Sequence, residues 1–296
     1  MIERRPLLDL LAHATLLLGV ATIAFPLYYA FVAATLPLDA TLQTPMTLVP
    51  GGELAANLRG AWDRGNLGRQ LLNSAVMAGA ITAGKIALSM LSAFALTYFR
   101  LALRRTIFWL VFATLMLPVE VRIVPTYEVA ANPLAPLAAL GQWLGWRVLA
   151  GIEWNLLDSY AGLTLPLVAS ATGTFLFRQF FLTVPDDLCE AAKIDGAGPL
   201  RFLRDMLLPL SATNVAALAV ILFVFGWNQY LWPLLITTKP EMSTIVMGVA
   251  RMMPGADPQP QWNLAMAGGL IAVAPPVLVV LLMQRWFVKG LVDSEK

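Results

Sequence analysis

Few residues in this chain combine a reactive type with a spacing that could do chemistry. Gly79-Ala-Ile-Thr-Ala-Gly84-Lys85 matches the phosphate-cradling GxxxxGK pattern. Ile86 follows where a Ser or Thr hydroxyl should hold magnesium, no strand precedes the run, and it lies inside an apolar stretch. Gly196-Ala197-Gly198 opens like a dinucleotide fingerprint, but Arg201 stands where its third glycine belongs. HExxH and GxSxG are absent. The single cysteine, Cys189, excludes an intrachain disulfide, and the single histidine, His13, excludes a multi-histidine metal site. No metal or cofactor is expected on this chain. Two features remain: one lysine in an apolar run, Lys85, and one polar loop around Gly196.

The surrounding elements explain why both stand out. Of 296 residues, 58% are hydrophobic and 13% charged, with a mean hydropathy of +0.71. A soluble chain is about 45–50% apolar and about 25% charged, so a soluble enzyme is excluded. The net charge of +2 is too small to suggest a nucleic-acid partner. A hydrocarbon core about 30 Å thick takes roughly 20 apolar residues per helix. Six runs suit it: Leu11–Leu36, Leu71–Phe99, Thr106–Val124, Tyr160–Phe180, Thr213–Ile236 and Leu264–Phe287. The third is the weakest, since its end carries Pro118, Glu120 and Arg122. The first is read as an uncleaved helix, because it exceeds the roughly 7–15 apolar residues of a signal peptide and further runs follow.

Cytoplasmic loops carry excess Lys and Arg. Arg4 and Arg5, Arg100, Arg104 and Arg105, Arg178, Lys193, Arg201 and Arg204, and Arg285, Lys289 and Lys296 fall on one side. The other loops are longer but poorer in bases, so both termini are expected to be cytoplasmic. On the outer side, Asn132–Leu157 includes an apolar stretch from Leu137 to Ile152, interrupted by Gly141, Gly145 and Arg147. It is short for a span and reads as an amphipathic surface helix or a re-entrant piece.

Lys85 lies about 20 Å from either end of the second run at 1.5 Å per residue, too far to snorkel. An ionised lysine facing lipid there costs at least about 2.5–3.5 kcal/mol. Ser74, Ala78, Thr82, Lys85, Ser89 and Ser92 fall within one stripe roughly 80° wide, which must face protein or water. One reading is a packing interface of small residues and hydrogen bonds; the other is a substrate path in which Lys85 offsets an anion.

The loop at 182–210 is the least membrane-like part of the chain. Val184-Pro185-Asp186-Asp187 suits a helix start, with Asp186 able to cap and acids at the positive end of the dipole. Gly196 permits a turn at positive φ, and Pro199 suits the first turn of a second helix. Leu200, Leu203 and Leu207 recur at helical spacing beside Phe202 and Met206. The spacing predicts two short helices around a glycine elbow.

Glu190-Ala191-Ala192, then Gly196, then Leu208-Pro209 beginning twelve positions later resembles the coupling-loop signature of membrane subunits of bacterial ABC importers. Asp195, Gly196 and Ala197 match its common DGA variant. Trp227-Asn228-Gln-Tyr230-Leu-Trp232-Pro233-Leu resembles a stretch of the carbohydrate-uptake, maltose-importer-like permeases. These aromatics also suit an interfacial belt anchoring a helix end. Close to full length the chain is similar to permeases of sn-glycerol-3-phosphate importers, through Ile2-Glu3-x-Arg5-Pro6, Phe25-Pro26-Leu27-Tyr28, Thr114–Arg122, Asp158–Leu165, Phe175–Phe181 and Gly290–Lys296. Asn132–Leu157 is longer than the corresponding link in that family.

The resemblance implies an all-α, polytopic, six-helix permease of the MetI-like fold, a single domain over 1–296 in a bacterial inner membrane. It implies that Glu190, Ala191, Ala192, Asp195, Gly196, Ala197, Leu208 and Pro209 form a cytoplasmic coupling helix docked on an ATPase. It also implies the partners: a second homologous permease, two ATPase subunits holding ATP and magnesium, and a periplasmic binding protein. The implied cargo is sn-glycerol 3-phosphate or a glycerophosphodiester, with a neutral sugar as the alternative. Lys85, Ser89, Thr82 and Asn228 are the candidate path residues. This chain itself is expected to make or break no covalent bond.

Overall fold

A computed structural model describes residues 6–114, 117, 119–146, 154–253 and 261–293, with backbone only at 6, 119–120 and 285–293; among them every regular element is a helix. Pro118, Arg147, Lys296 and the side chains of Arg4, Arg5, Glu120, Arg285 and Lys289 lie outside the described residues. The chain divides into one unit of residues 1–68 and 248–274 and another of residues 69–247 and 275–296.

In the first unit, α1 (Pro6–Thr35) begins earlier than the apolar run suggested. Leu7, Leu11, Leu18 and Ile23 are exposed along it, whereas Val32, Ala33, Ala34 and Leu36 are buried. A helix end leaves carbonyls without partners, and Asn57 in α2 (Leu54–Gly65) supplies them. Its amide donates to Ala34 O at 2.9 Å and Leu36 O at 2.8 Å. Its carbonyl accepts from Asn263 Nδ2 at 2.8 Å.

In the second unit, α3 (Leu67–Tyr98) runs for 32 residues. It is followed by α4 (Arg104–Ala113) and α5 (Val119–Ala131). The third apolar run is therefore divided. Ten residues rise about 15 Å and thirteen about 20 Å, each short of a bilayer core. α6 (Ala135–Leu144) lies in the 132–157 segment and ends at Gly145, with φ 70°. Trp143 and Trp146 are exposed there.

Prolines break the next two runs. α7 (Tyr160–Thr164) passes through a 3₁₀ turn at Leu165–Leu167 and meets α8 (Ala171–Phe181) at a 49° bend. Pro166 has no N–H for the Gly162 carbonyl four residues back. The indole of Trp232 takes that place, donating to Gly162 O at 3.2 Å. The expected fifth span splits into α11 (Ala212–Trp227) and α12 (Leu231–Ile236), because Pro233 can neither bond nor clear the Gln229 carbonyl. Between α8 and α11 lie α9 (Asp186–Ile194) and α10 (Pro199–Phe202). α13 (Ile245–Met252) and α14 (Trp262–Asp293) complete the order.

Among the described residues, α1, α3 and α14 are long and apolar enough to cross a membrane, and two bent pairs bring the number to five.

Two buried clusters hold the second unit. Met77, Ile81, Leu163, Trp232 and Ile236 form one. Phe94, Phe177, Phe181, Phe202, Leu207 and Leu222 anchor the other. Where α11 meets α3, Gly226 faces Ala78; a methyl there would stand 3.0 Å from the Ala78 Cα, so a larger residue would push the two backbones apart by a few tenths of an ångström.

Candidate functional site

The loop at 182–210 folds into a helical knob, and its signature residues divide into those that build it and those that face outward. α9 begins without a side-chain cap. Pro185 occupies the cap position, so Asp186 does not cap; it and Asp187 lie in the first turn, where the helix dipole favours them. The C-terminus closes with two bonds: Gly196 N–H to Lys193 O at 3.1 Å, and Ala197 N–H to Ala192 O at 2.8 Å. With Gly196 at φ 69°, this is a Schellman closure. Ala192 is buried and Ala197 packs beside it in the Phe94 cluster, which is the apolar contact such a closure carries. The spacing from Glu-Ala-Ala to Gly is thus the spacing of a helix and its stop.

Pro199 starts α10, which widens into a π turn at Leu203–Leu207 before Leu208-Pro209. Pro209 cannot bond the Asp205 carbonyl, and its ring would strike it in an α-helix, so the wider turn makes room. This turn corrects the expected leucine stripe. It brings Leu203 and Leu207 onto one buried side with Phe202, and leaves Leu200 73% exposed. The helix then turns 76° at Ser211, whose hydroxyl donates to Leu207 O at 2.6 Å.

The knob's inner side is bolted to α3 and α8. The Phe202 ring meets Tyr98 edge-on at 5.4 Å and Phe94 at 6.5 Å. A cavity of about 200 Å³ lies beneath, lined by Phe94, Tyr98, Cys189, Lys193 and Phe202 among others. Its outer side is not covered by any described residue. Glu190, Ala191, Asp195 and Gly196 are exposed, and Ile194 is 85% exposed. Leu208 and Pro209 are also exposed. Arg204 Nε donates to Asp205 at 2.7 Å on the same surface.

On α3, Ser74, Ala78 and Ser89 meet residues of other elements. Ser74 Oγ accepts from Ile245 N–H at 2.8 Å, Ala78 meets Gly226, and Ser89 Oγ donates to Ser170 O at 3.2 Å. Thr82 bonds its own helix at Ala78 O, and Ser92 is exposed. Lys85 is only 9% exposed, and its Nζ lies 4.4 Å from the centre of the Phe225 ring. No carboxylate pairs with it among the described residues. A desolvated cation–π contact supplies about 2 kcal/mol, less than the roughly 2.5–3.5 kcal/mol that a charge at this depth costs.

Lys85 opens on a cavity of about 100 Å³ shared with Arg122, Thr126, Pro166, Phe225, Gln229 and Trp232. Thr82, Ser89 and Asn228 do not line it; Asn228 is exposed at the end of α11. Sequence reasoning missed Arg122, Thr126 and Gln229 as neighbours of Lys85. The signals were present in an arginine ending the weakest apolar run and a glutamine inside the aromatic stretch. Trp227 and Trp232 are buried, so neither is a belt aromatic; Tyr230 is exposed.

On the opposite flank from the knob, Asp158 ties two loops together. It accepts from Thr238 N–H and Oγ1, both at 2.6 Å, and from Lys239 N–H at 2.9 Å. These bonds, the Thr238 hydroxyl first, hold its carboxyl below the usual aspartate value. Nearby, buried Asn73 donates to Glu241 O at 2.8 Å and Ser243 O at 2.9 Å, and accepts from Tyr160 Oη at 2.7 Å.

An all-helical chain whose bent, proline-broken helices carry a glycine-capped knob defines a class. Residues 85–293 match the binding-protein-dependent transport system inner membrane component family, and the chain belongs to it. It is a membrane permease subunit, a non-catalytic component of an ABC transporter. Its relatives are specific. It is 55% identical over 302 residues, covering 100% of both chains, to the sn-glycerol-3-phosphate transport system permease protein UgpE of Pectobacterium atrosepticum. The proteins of the same name in Yersinia pestis and Agrobacterium fabrum are 56% and 52% identical, again over 100% of both chains. A bacterial ABC transporter involved in import of the acidic polysaccharide alginate shares the fold at a TM-score of 0.76. That match covers 97% of this chain and 99% of the other at 18% identity.

Proposed function

We propose that this chain moves sn-glycerol 3-phosphate, or a glycerophosphodiester, inward across the membrane, driven by ATP hydrolysis on partner subunits. The carrying observation is its 52–56% identity, end to end, to permeases named for that substrate. In this reading the chain crosses six times, with α4 and α5 together forming the third crossing and both termini cytoplasmic. The knob around Gly196 docks on one of two cytoplasmic ATPases through Glu190, Ala191, Ile194 and Asp195. Burial of Ala192, Phe202, Leu203 and Leu207 makes the knob move with α3 and α8, so a shift imposed by the ATPase reaches the crossing helices. A second, homologous permease completes the path, and a periplasmic binding protein delivers cargo at the side that bears Asp158 and residues 132–157. The route follows the face of α3 that bears Thr82, Lys85 and Ser89, towards Asn228.

The test is uptake of labelled sn-glycerol 3-phosphate into proteoliposomes holding this chain with its co-purifying partners and binding protein. It is run with and without internal ATP and with maltose as competitor. ATP-dependent uptake that ignores maltose is expected. ATPase stimulation by a neutral sugar, without uptake of the phosphate, overturns the substrate; uptake without ATP overturns the coupling.

A further inference from the structure

The cavity beside Lys85 is cationic on two sides and has no acid among its described lining residues. Among its described lining residues the ionisable groups are Lys85 and Arg122. Neither makes an ion pair with any described residue. Two like charges around one small cavity, one of them buried, repel each other and lack the carboxylate that buried cations ordinarily find. Of the remaining polar side chains, Gln229 offers an anion a donor. Gln229 spends one amide hydrogen on Phe225 O at 3.1 Å and keeps the other. Thr126 Oγ1 spends its one hydrogen on Arg122 O at 2.7 Å and so offers the anion no donor. At about 100 Å³ the cavity has room for a small anion such as a phosphate group.

Arg122 also lines a second, larger cavity of about 690 Å³, with Leu117, Val121, Pro125, Trp154 and Leu165 among its walls. Arg122 is its one ionisable lining residue among those described. An arginine that faces both spaces can hold a phosphate in the larger and release it towards Lys85 in the smaller. Its planar fork matches two phosphate oxygens at once, whereas lysine acts as a point charge.

We propose that Lys85 and Arg122 form the phosphate station of the translocation path on this subunit, with Arg122 as first contact and Lys85 as the buried end. The assignment rests on the reading of the chain as a phosphate-ester importer. Phe225 supports the Lys85 ammonium from behind while the cavity is empty of cargo. A bound phosphate monoester, carrying up to two charges with a second pKa of about 6, neutralises both cations.

The experiment uses the assembled transporter and two readouts. Lys85→Met and Arg122→Gln should each lower uptake of sn-glycerol 3-phosphate at least tenfold. ATPase activity stimulated by the loaded binding protein should stay within twofold, because the knob is untouched. Uptake of glycerophosphocholine, whose phosphodiester carries one charge, should fall less. Lys85→Arg should restore most of the monoester uptake. The second readout is broadening of the phosphorus NMR line of sn-glycerol 3-phosphate by purified transporter without binding protein, expected for the wild type and lost in both variants. Wild-type uptake in Lys85→Met overturns the station and leaves the proposed function standing. Equal loss for both substrates together with a lower Tm of the complex assigns Lys85 to assembly and overturns the station. A wild type that imports no phosphate ester, yet broadens the line in a Lys85-dependent way, overturns the proposed function and keeps the site.

Discussion

Replacing Gly196 tests whether the knob's glycine serves its backbone or its surface. At φ 69° the residue sits in the left-handed region, and no atom lies within 4 Å of where a Cβ would be. Alanine there meets no steric block, so its cost is the backbone penalty of about 1–2 kcal/mol. That penalty falls on the closure itself, on the bonds from Gly196 N–H to Lys193 O and from Ala197 N–H to Ala192 O. A factor of roughly 5–30 in local opening follows, so the amides at positions 196 and 197 should exchange that much faster in Gly196→Ala. Asparagine visits the left-handed region with little penalty. Gly196→Asn should therefore exchange like the wild type while placing an amide on the exposed surface beside Ile194 and Asp195. Hydrogen exchange read by mass spectrometry reports the closure, and ATP-dependent uptake in proteoliposomes reports docking. The alanine variant should lose both; the asparagine variant should keep the closure and lose most uptake. Wild-type exchange in Gly196→Ala refutes the capping argument. Wild-type uptake in Gly196→Asn refutes the need for a bare surface there.

Phe202→Ala should destabilise the complex by about 3–5 kcal/mol, the range for emptying a buried aromatic site, read as a lower Tm; Phe202→Leu should recover most of it. Asn57→Ala removes three hydrogen bonds at the end of α1 and leaves two buried carbonyls unpaired. A loss of about 2–4 kcal/mol is expected, seen as lower membrane abundance and Tm. Asp158 has a lowered carboxyl pKa, so its tie to Thr238 and Lys239 is present at neutral pH and is lost as pH falls below the ordinary value of 3.8. Protection of the Thr238 and Lys239 amides against hydrogen exchange, both bonded to Asp158, should fall over that acid range in the wild type, and already at neutral pH in Asp158→Ala.

Much of this protein is legible without coordinates. Apolar runs too long for a soluble core place α1, α3 and α14 in a membrane, because length and hydropathy are local properties. The knob was equally legible: glycine at a helix stop and proline at the next start are local chemistry, and their spacing from Glu190 to Gly196 carries the closure's geometry. The same locality explains why Lys85 stood out, since a cation far from either helix end is anomalous whatever surrounds it.

Tertiary structure decided what those anomalies mean. Whether Ser74 and Ser89 line a path or pack depended on Ile245 and Ser170, residues distant in the chain. Trp232 is a core residue because Pro166, sixty-six positions earlier, strands the carbonyl that its indole satisfies. The fifth apolar run divides at Gln229 for a local reason, yet only the folded chain turns that break into the wall of a cavity. Lys85 and Arg122 meet for the same reason. Electrostatic interaction depends on distance through space, and a sequence states only distance along the chain.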